Sequence, residues 1–336
     1  MACEATAYAR AGLIGNPSDG YFGKTISIII RDYAAKVSVY ESAETEIIPS
    51  VRDRSRYASV RELVSDVQAY GYYGGIRLMK AAIRRFVDYC DERAISLDDR
   101  NFSIRYRSTI PRHVGLAGSS ALVTAAIRCL MEFYDVEIPK AELPNLILSV
   151  ETNELGISAG LQDRVIQVYE GCVYMDFDKP YMDAHGHGRY EEIDPDLLPP
   201  LFVAYRTDFT EGSEVFHNRI RERWLNGDAE VVAAMKDFAG YAEEVRTLLL
   251  AGKGDEIGQW MDRNFDRRCS ISRLQQADLD MVARARSVGA SCKFAGSGGA
   301  IIGTCANDNI YDKLEEVFEG SGVAVFRPTI TDAVLG

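Results

Sequence analysis

Pro111-Arg-His-Val-Gly-Leu-Ala-Gly-Ser-Ser-Ala121 is a loop of small residues that leads directly into LVTAAIRCLMEFY, a stretch with helical periodicity. The first N–H groups of a helix lack partners within it and lie at the positive end of its dipole, so this loop can hold an anion. Ser119 and Ser120 add hydroxyls for phosphate oxygens or a magnesium ion. A plain helix start gives the same pattern, because serine favours the N-cap.

Three other segments carry residues suited to phosphoryl transfer. Residues 7–19 read AYARAGLIGNPSD, residues 293–300 read KFAGSGGA, and residues 150–163 read VETNELGISAGLQD, which contains Glu151 and Asp163. Phosphoryl transfer demands positioning, charge neutralisation and a group that orients the attacking hydroxyl. A carboxylate can accept that proton, and a second carboxylate with a hydroxyl supplies the oxygen ligands that Mg²⁺ prefers.

Three of these segments are glycine strings: residues 7–19, 111–121 and 293–300. Taken in this order, they resemble the three motifs of the GHMP small-molecule kinases, over nearly the full chain. The resemblance implies that ATP is the phosphoryl donor, that its phosphates are wrapped by Gly115 to Ser120, and that Ser120 contacts Mg²⁺. The ATP-binding residues expected from the resemblance are Pro111, Gly115, Leu116, Ala117, Gly118, Ser119, Ser120, Gly296, Ser297 and Gly298. Departures from the family pattern are mild: Ala117 replaces a frequent glycine, and Ala295 and Ser297 replace a common Thr and Ala.

The same resemblance implies roles for four charged residues. Asp163, three residues after Gly160, matches the catalytic Asp of the family. Glu151 matches its magnesium-binding Glu, with Glu154 as an alternative ligand. Arg10 is expected to hold Asp163 ionised and to stabilise charge during transfer.

Several stretches of the sequence indicate the substrate. The first glycine string, residues 7–19, resembles the substrate segment of galactokinases, with Asn16-Pro17 where many relatives have Glu-His. Residues 16–27, 70–78 and 160–171 most resemble the glucuronokinase branch, whose enzymes convert D-glucuronate to its 1-phosphate at the anomeric hydroxyl. The expected substrate contacts are Arg10, Asn16, Asp19, Tyr21, Asp163, Gly296 and Arg206.

A uronic acid carries a carboxylate, so its site should contain a cation, best an arginine that binds in a bidentate manner. Arg206 ends a predicted strand, and Arg31, Arg267 and Arg268 remain open as alternatives. Tyr21 and Tyr72 suit the face or the hydroxyls of a sugar, although a structural role is the commoner one among 18 tyrosines.

The resemblance also implies the fold, a two-domain α+β GHMP kinase fold with its active site between the domains. Residues 1–195 should form a ribosomal-protein-S5-like domain with the phosphate loop, and residues 196–336 a ferredoxin-like α/β sandwich with the third motif. Sequence patterns predict two strands joined by a turn within 25–40, strands over 102–107, 164–170, 172–177, 201–206 and 323–327, and a strand, a glycine loop and a second strand over 291–304. They also predict an irregular connection over 178–200 and helices over 61–93, 119–134, 139–154, 213–225, 228–251, 254–268, 273–288 and 308–319.

Composition narrows the class of protein. A net charge of −12 over 336 residues argues against a nucleic-acid partner, although local Lys and Arg can still form an anion site. Seven cysteines without CxxC spacing favour free thiols in a reducing cytoplasm. We find no secretory signal and no 18-residue apolar segment, so we expect a cytoplasmic protein without a membrane partner. His185 and His187 favour a surface loop over a metal site.

Several alternatives stay open. Another member of the same kinase family would act on galacturonate, a neutral sugar or a mevalonate-like alcohol acid. Some galactokinase relatives are sensors that bind sugar and ATP without useful turnover, but Asp163, Glu151 and Ser120 are all present here. A Rossmann enzyme would need a GxGxxG after the first strand, and residues 9–19 lack that spacing. The sequence leaves the oligomeric state open.

Overall fold

A computed structural model describes residues 2–50, 53, 60, 74–207 and 214–331, with the backbone alone over 214–219. Its first part is built on a six-stranded sheet of order β3-β4-β2-β5-β6, with β1 paired to β2. The strands are β1 Ala2–Ile14, β2 Lys24–Ser42, β3 Glu46–Ile48, β4 Asn101–Ser108, β5 Cys172–Asp176 and β6 Arg189–Ile193.

Helices cover this sheet, and α2 is the one that matters for the site. They are α1 Gly75–Glu92, α2 Gly118–Tyr134, α3 Leu143–Ser149, α4 Gln162–Tyr169 and α5 Lys179–His185. A π-helical turn, Val150–Glu154, continues α3. Because Ala121, Ala125 and Ala126 are small and buried, α2 packs closely on β1 and β2. Its start lies beside the middle of β1, since the Leu116 carbonyl accepts from the Arg10 N–H.

The second part is a four-stranded antiparallel sheet of order β10-β7-β9-β8. Its elements are β7 Leu201–Arg206, α6 Glu214–Leu225, α7 Ala229–Leu250, α8 Gly258–Ile271, α9 Gln276–Ser287, β8 Ser291–Phe294, β9 Ala300–Thr304, α10 Asp308–Phe318 and β10 Val323–Phe326. Numbered within this part, the strands lie in the order 4-1-3-2, with helices between the first and second and between the third and fourth. That is the ferredoxin-like arrangement, so the predicted α+β class is confirmed.

The two parts share one buried core. Ala242, Met261 and Ile302 from the second part lie in the same apolar cluster as residues of β1 and β2. The buried Lys293 side chain joins them further, since its Nζ donates to the Gly12 carbonyl at 2.5 Å. The sheets change between β6 and β7, and a division at residue 195 stays a prediction.

Three predicted segments differ from the structure. The segment 25–40 belongs to one long strand, because β2 pairs with β1 along one edge and with β5 and β4 along the other. Instead of a turn, residues 31–33 form a bulge, since Ile30 pairs with Ala9 and Ala34 with Tyr8. The predicted strand over 164–170 is wrong, because these residues belong to α4. The helix carries a run of β-branched apolar residues because several neighbouring elements bury it.

The predicted irregular connection over 178–200 is also wrong in part. It contains α5 and β6. Asp178 starts α5 by accepting a hydrogen bond from the Tyr181 N–H at 3.2 Å. Short polar elements of this kind give little periodic signal, because they bury few apolar residues.

Candidate functional site

Arg10 is the point at which distant parts of the chain meet. It lies on β1 and is buried. Its Nε donates to Asp163 Oδ1 at 2.6 Å, and one terminal nitrogen donates to the carbonyls of Gly115 at 2.6 Å and Ala295 at 3.1 Å. One guanidinium therefore contacts the phosphate-loop string, the third glycine string and the predicted catalytic carboxylate. Charge-assisted hydrogen bonds of this kind are strong and directional.

Asp163 lies in the first turn of α4, and its side chain is 17% exposed, so a small molecule can reach it. Arg164, the next residue, is buried and lies 3.4 Å from the same carboxylate. The Arg164 guanidinium also forms an ion pair with Glu151. Sequence reasoning missed Arg164, although a charged residue within an apolar helix run must find a partner when it is buried.

The predicted magnesium ligands lie on neighbouring elements and have partners of their own. Ser120 is buried, and its hydroxyl donates to Gln167 Oε1 on α4. Glu151 is buried against Arg164. The alternative ligand, Glu154, lies 3.4 Å from Arg84. Among the described residues, no group of three or more His, Cys, Asp or Glu is arranged to hold a metal ion.

The predicted phosphate loop ends at an open helix start. Ala117 adopts a left-handed conformation (φ 59°) as the N-cap of α2, and no side chain in the described chain caps this helix. The N–H groups of its first turn are therefore not bound by a capping side chain. Leu116 is buried and its carbonyl accepts from the Arg10 N–H at 3.3 Å, which fixes the loop against β1.

The third glycine string packs directly on the phosphate loop. A Cβ on Gly115, which has φ 68°, would lie 2.8 Å from the Gly298 carbonyl oxygen. A Cβ on Gly296 would collide with the Gly115 carbonyl. The two loops therefore touch backbone to backbone, and glycine is required on both sides. Pro111 begins the first loop, and Ser297 lies beside Gly115 in the second.

The expected substrate residue Asp19 lies in a 3₁₀ turn, Ser18–Tyr21, close to Asp163. Its Oδ2 accepts from the Gln162 N–H at 3.3 Å and leaves no room for a Cβ at Gly160. Desolvation, with the negative charge of Asp163 added, raises the pKa of Asp19 to about 6.

Two further substrate predictions fall near this turn. Asn16 is 2% exposed, and its Oδ1 has no hydrogen-bond partner in the described chain. The Tyr21 ring meets Trp224 of α6 edge to face, with 5.4 Å between centroids.

Tyr72 lies outside the described residues. His185 ends α5 and stacks on Tyr181, with 3.9 Å between centroids.

The four candidate cations for a substrate carboxylate differ in their partners. Arg31 lies 2.7 Å from Glu170, and Arg267 lies 2.8 Å from Asp237. Arg206, the expected one, lies 3.7 Å from Asp278.

Arg268 is bonded to carbonyl groups instead. Its terminal nitrogens donate to Gly296 and Ser297 at 3.0 and 3.4 Å. The structure therefore brings Arg10, Asp163 and both glycine loops together, while the predicted roles of all these residues stay predictions.

Comparison with known proteins gives the class. Residues 77–171 match the family model of the GHMP kinases N terminal domain. The chain belongs to the GHMP kinase family, so it is a phosphotransferase that acts on an alcohol group, and family membership implies the use of ATP.

Its curated relatives include two from Arabidopsis thaliana. The chain is 44% identical to Glucuronokinase 1 over 321 residues, which cover 94% of this chain and 88% of that one. It is also 44% identical to Probable glucuronokinase 2, with coverage of 96% and 90%.

Solved structures agree in fold at low identity. Mevalonate kinase of Methanococcus jannaschii superposes with a TM-score of 0.70 at 20% identity, covering 98% of both chains. Galactokinase of Lactococcus lactis, solved with galactose, gives 0.75 at 15% identity, with coverage of 98% and 93%. Within the described part of the chain, every helix is too short or too polar to cross a membrane.

The raised pKa of Asp19 predicts a pH-dependent stability. Between about pH 4 and 6 the native protein binds more protons at Asp19 than the unfolded chain does, so the free energy of unfolding falls as pH rises through this window. Asp19→Asn removes this effect. We expect the variant to gain up to about 3 kcal/mol over the wild type on going from pH 4 to pH 7, measured by denaturant unfolding. Asp312→Asn, at an exposed position on α10, is the control. An equal difference at both pH values for Asp19→Asn would contradict the assignment.

The contact between the two glycine loops predicts a loss of nucleotide binding in Gly115→Ala. The new Cβ would push against the Gly298 carbonyl, so we expect affinity for a non-hydrolysable ATP analogue to fall by about tenfold or more in calorimetry. Gly252→Ala is a matched control, because Gly252 has φ 69° but open space around its Cβ. Both variants bear a similar backbone strain of about 1 kcal/mol. Equal affinities in the two would rule out the loop contact as the cause.

Proposed function

We propose that this protein transfers the γ-phosphoryl group of Mg-ATP to the anomeric hydroxyl of D-glucuronate, giving D-glucuronate 1-phosphate. The observation that carries the proposal is the Arg10 guanidinium, bonded at once to Asp163 and to both glycine loops. This arrangement places a carboxylate beside the loop expected to hold the phosphates. The substrate is supported by 44% identity to the Arabidopsis glucuronokinases over nearly the whole chain.

The transfer needs one proton acceptor. The anomeric oxygen forms a bond to the γ-phosphorus in line with the leaving oxygen, the bond from that phosphorus to the β–γ bridging oxygen breaks, and ADP departs. Asp163 takes the hydroxyl proton as general base. Arg10 holds this carboxylate in place and offsets its charge, because its Nε lies 2.6 Å from Oδ1.

The chain offers groups that fit the nucleotide. Phosphate oxygens suit the uncapped first turn of α2 and the small residues from Gly115 to Ser120. For Mg²⁺, hard oxygen donors are present in Ser120 and Glu151, with Glu154 as the alternative. Bound there, the ion would neutralise charge on the phosphates. Glu151 would then be shared between the ion and Arg164.

The sugar fits the remaining polar groups. We assign Asp19 and Asn16 to its hydroxyls and Gly296 to the wall beside the transferred group, because Gly296 lies against both the Arg10 guanidinium and the Gly115 carbonyl. Tyr21 forms the outer wall with Trp224. A cytoplasmic location fits the seven free thiols.

Asp163→Asn tests the base. The amide keeps the size of the side chain but cannot accept the proton, so we expect kcat to fall by about 10³-fold. Affinity for the ATP analogue should change by less than about threefold, because Asp163 does not lie in the phosphate loop. Near-normal turnover would remove Asp163 from the role of base.

The substrate is tested with a panel of free sugars and sugar acids incubated with Mg-ATP. We expect ADP release with D-glucuronate and a product whose phosphate is lost in mild acid, as an anomeric phosphate is. D-galacturonate, D-galactose and mevalonate are the comparisons. Turnover of galactose or mevalonate without turnover of glucuronate would overturn the substrate assignment, and binding of sugar and ATP without ADP release would indicate a sensor.

A further inference from the structure

We propose that Arg268 binds the carboxylate of the acidic sugar and thereby sets the preference for a uronate over the neutral sugar. This inference rests on the proposed function and deepens it. It also replaces Arg206, the cation that the sequence favoured.

The partners separate the four candidates. Arg31, Arg206 and Arg267 each have a carboxylate within 4 Å, so their charge is already matched inside the protein. Arg268 makes no ion pair with any described residue. A substrate carboxylate that recruited one of the other three would have to compete with an existing ion pair.

The surroundings of Arg268 leave binding capacity unused. It is 5% exposed, and two of its five N–H groups donate to carbonyls within the described residues. Its buried Nε has no hydrogen-bond partner in the described chain. Burial lowers its pKa to about 10, against a weaker opposing effect of Asp278. The Asp278 carboxylate is itself engaged by Arg206 and the Gly299 N–H, at 3.7 and 3.2 Å. A buried cation in this state is stabilised by an anionic ligand.

Arg268 lies across the third glycine loop from the catalytic carboxylate. Its guanidinium bonds the Gly296 carbonyl, and a Cβ on Gly296 would lie 2.9 Å from the Arg10 guanidinium, which holds Asp163. The charge of Asp19 acts on both Asp163 and Arg268. In a hexuronate ring the anomeric carbon and the carbon that bears the carboxylate flank the ring oxygen, so the anomeric hydroxyl and the carboxylate diverge on either side of it. A sugar with its anomeric hydroxyl at Asp163 and its ring oxygen towards Gly296 therefore extends its carboxylate towards Arg268.

A buried acceptor accompanies this donor. One turn before Arg268 on α8, Asn264 bonds the backbone of Gly15 and Asn16, at 2.8 and 3.2 Å. The Asn16 Oδ1 is buried and has no partner in the part of the chain described. The same helix thus places an arginine with unused N–H groups and holds an asparagine with an unused oxygen. A ligand that carries a carboxylate next to hydroxyls satisfies both.

The experiment compares Arg268→Gln, Arg268→Lys and the control Arg263→Gln with D-glucuronate and D-glucose as paired substrates. Arg263 lies on the same helix but is exposed over Trp260, so its replacement makes the same change of charge. We expect Arg268→Gln to raise KM for glucuronate by about 100-fold or more and to lower the ratio of kcat/KM for glucuronate to that for glucose by a similar factor. Arg268→Lys should recover part of the loss, and Arg263→Gln should stay within about twofold of the wild type.

Calorimetry with glucuronate and a non-hydrolysable ATP analogue separates binding from turnover. A loss of loop structure would weaken the binding of the ATP analogue and of both sugars together. Loss of a carboxylate contact would weaken the binding of glucuronate alone. An unchanged ratio in Arg268→Gln overturns the inference. If that variant does not fold, Arg268→Lys decides, and glucuronate affinity equal to the wild type overturns it. A wild type that phosphorylates neutral sugars and does not bind glucuronate overturns the proposed function itself.

Discussion

The Arg10 guanidinium is the interaction on which the rest of this site depends. It is buried on β1, and a buried cation must be matched by acceptors. Asp163, Gly115 and Ala295 supply them. Each acceptor comes from a different stretch of chain, so satisfying one side chain brings the predicted base, the phosphate loop and the third glycine loop into contact. The backbone contact between the two loops then leaves no space for a Cβ at Gly115 or Gly296.

Positively and negatively charged side chains alternate around Arg10. Asp163 lies between Arg10 and Arg164, and Arg164 continues to Glu151. On the other side Asp19 lies within the field of Arg10 and Arg268. A network of this kind fixes side-chain geometry, which favours pre-organised stabilisation of a developing charge. Removing one of these charges by mutation also lowers the stability of the folded protein, because a neighbouring charge then lacks its partner.

Much of this could be predicted from the sequence, because local signals carried it. The helix predicted over 119–134, the strand–loop–strand over 291–304 and the order of the glycine strings are properties of short segments. Which side chains pair with each other is not a property of short segments, since the pairing of Arg164 with Glu151 depends on how α3 and α4 pack. The same limit applies to Arg268: that no described carboxylate forms an ion pair with it becomes apparent only from the structure, by comparison with the other arginines. The helix α4 was predicted as a strand because its β-branched residues Val165, Ile166 and Val168 are typical of strands, and a short run of this kind does not distinguish a strand from a buried helix.

The contacts of Arg10 span nearly the whole chain: 105 residues separate it from Gly115, 153 from Asp163 and 285 from Ala295. Contacts between such distant residues carry a cost in loop-closure entropy and raise the contact order of the fold. No short fragment from either end holds all four residues. A chain emerging during synthesis would therefore hold Arg10 and the predicted phosphate loop well before it held the third glycine loop.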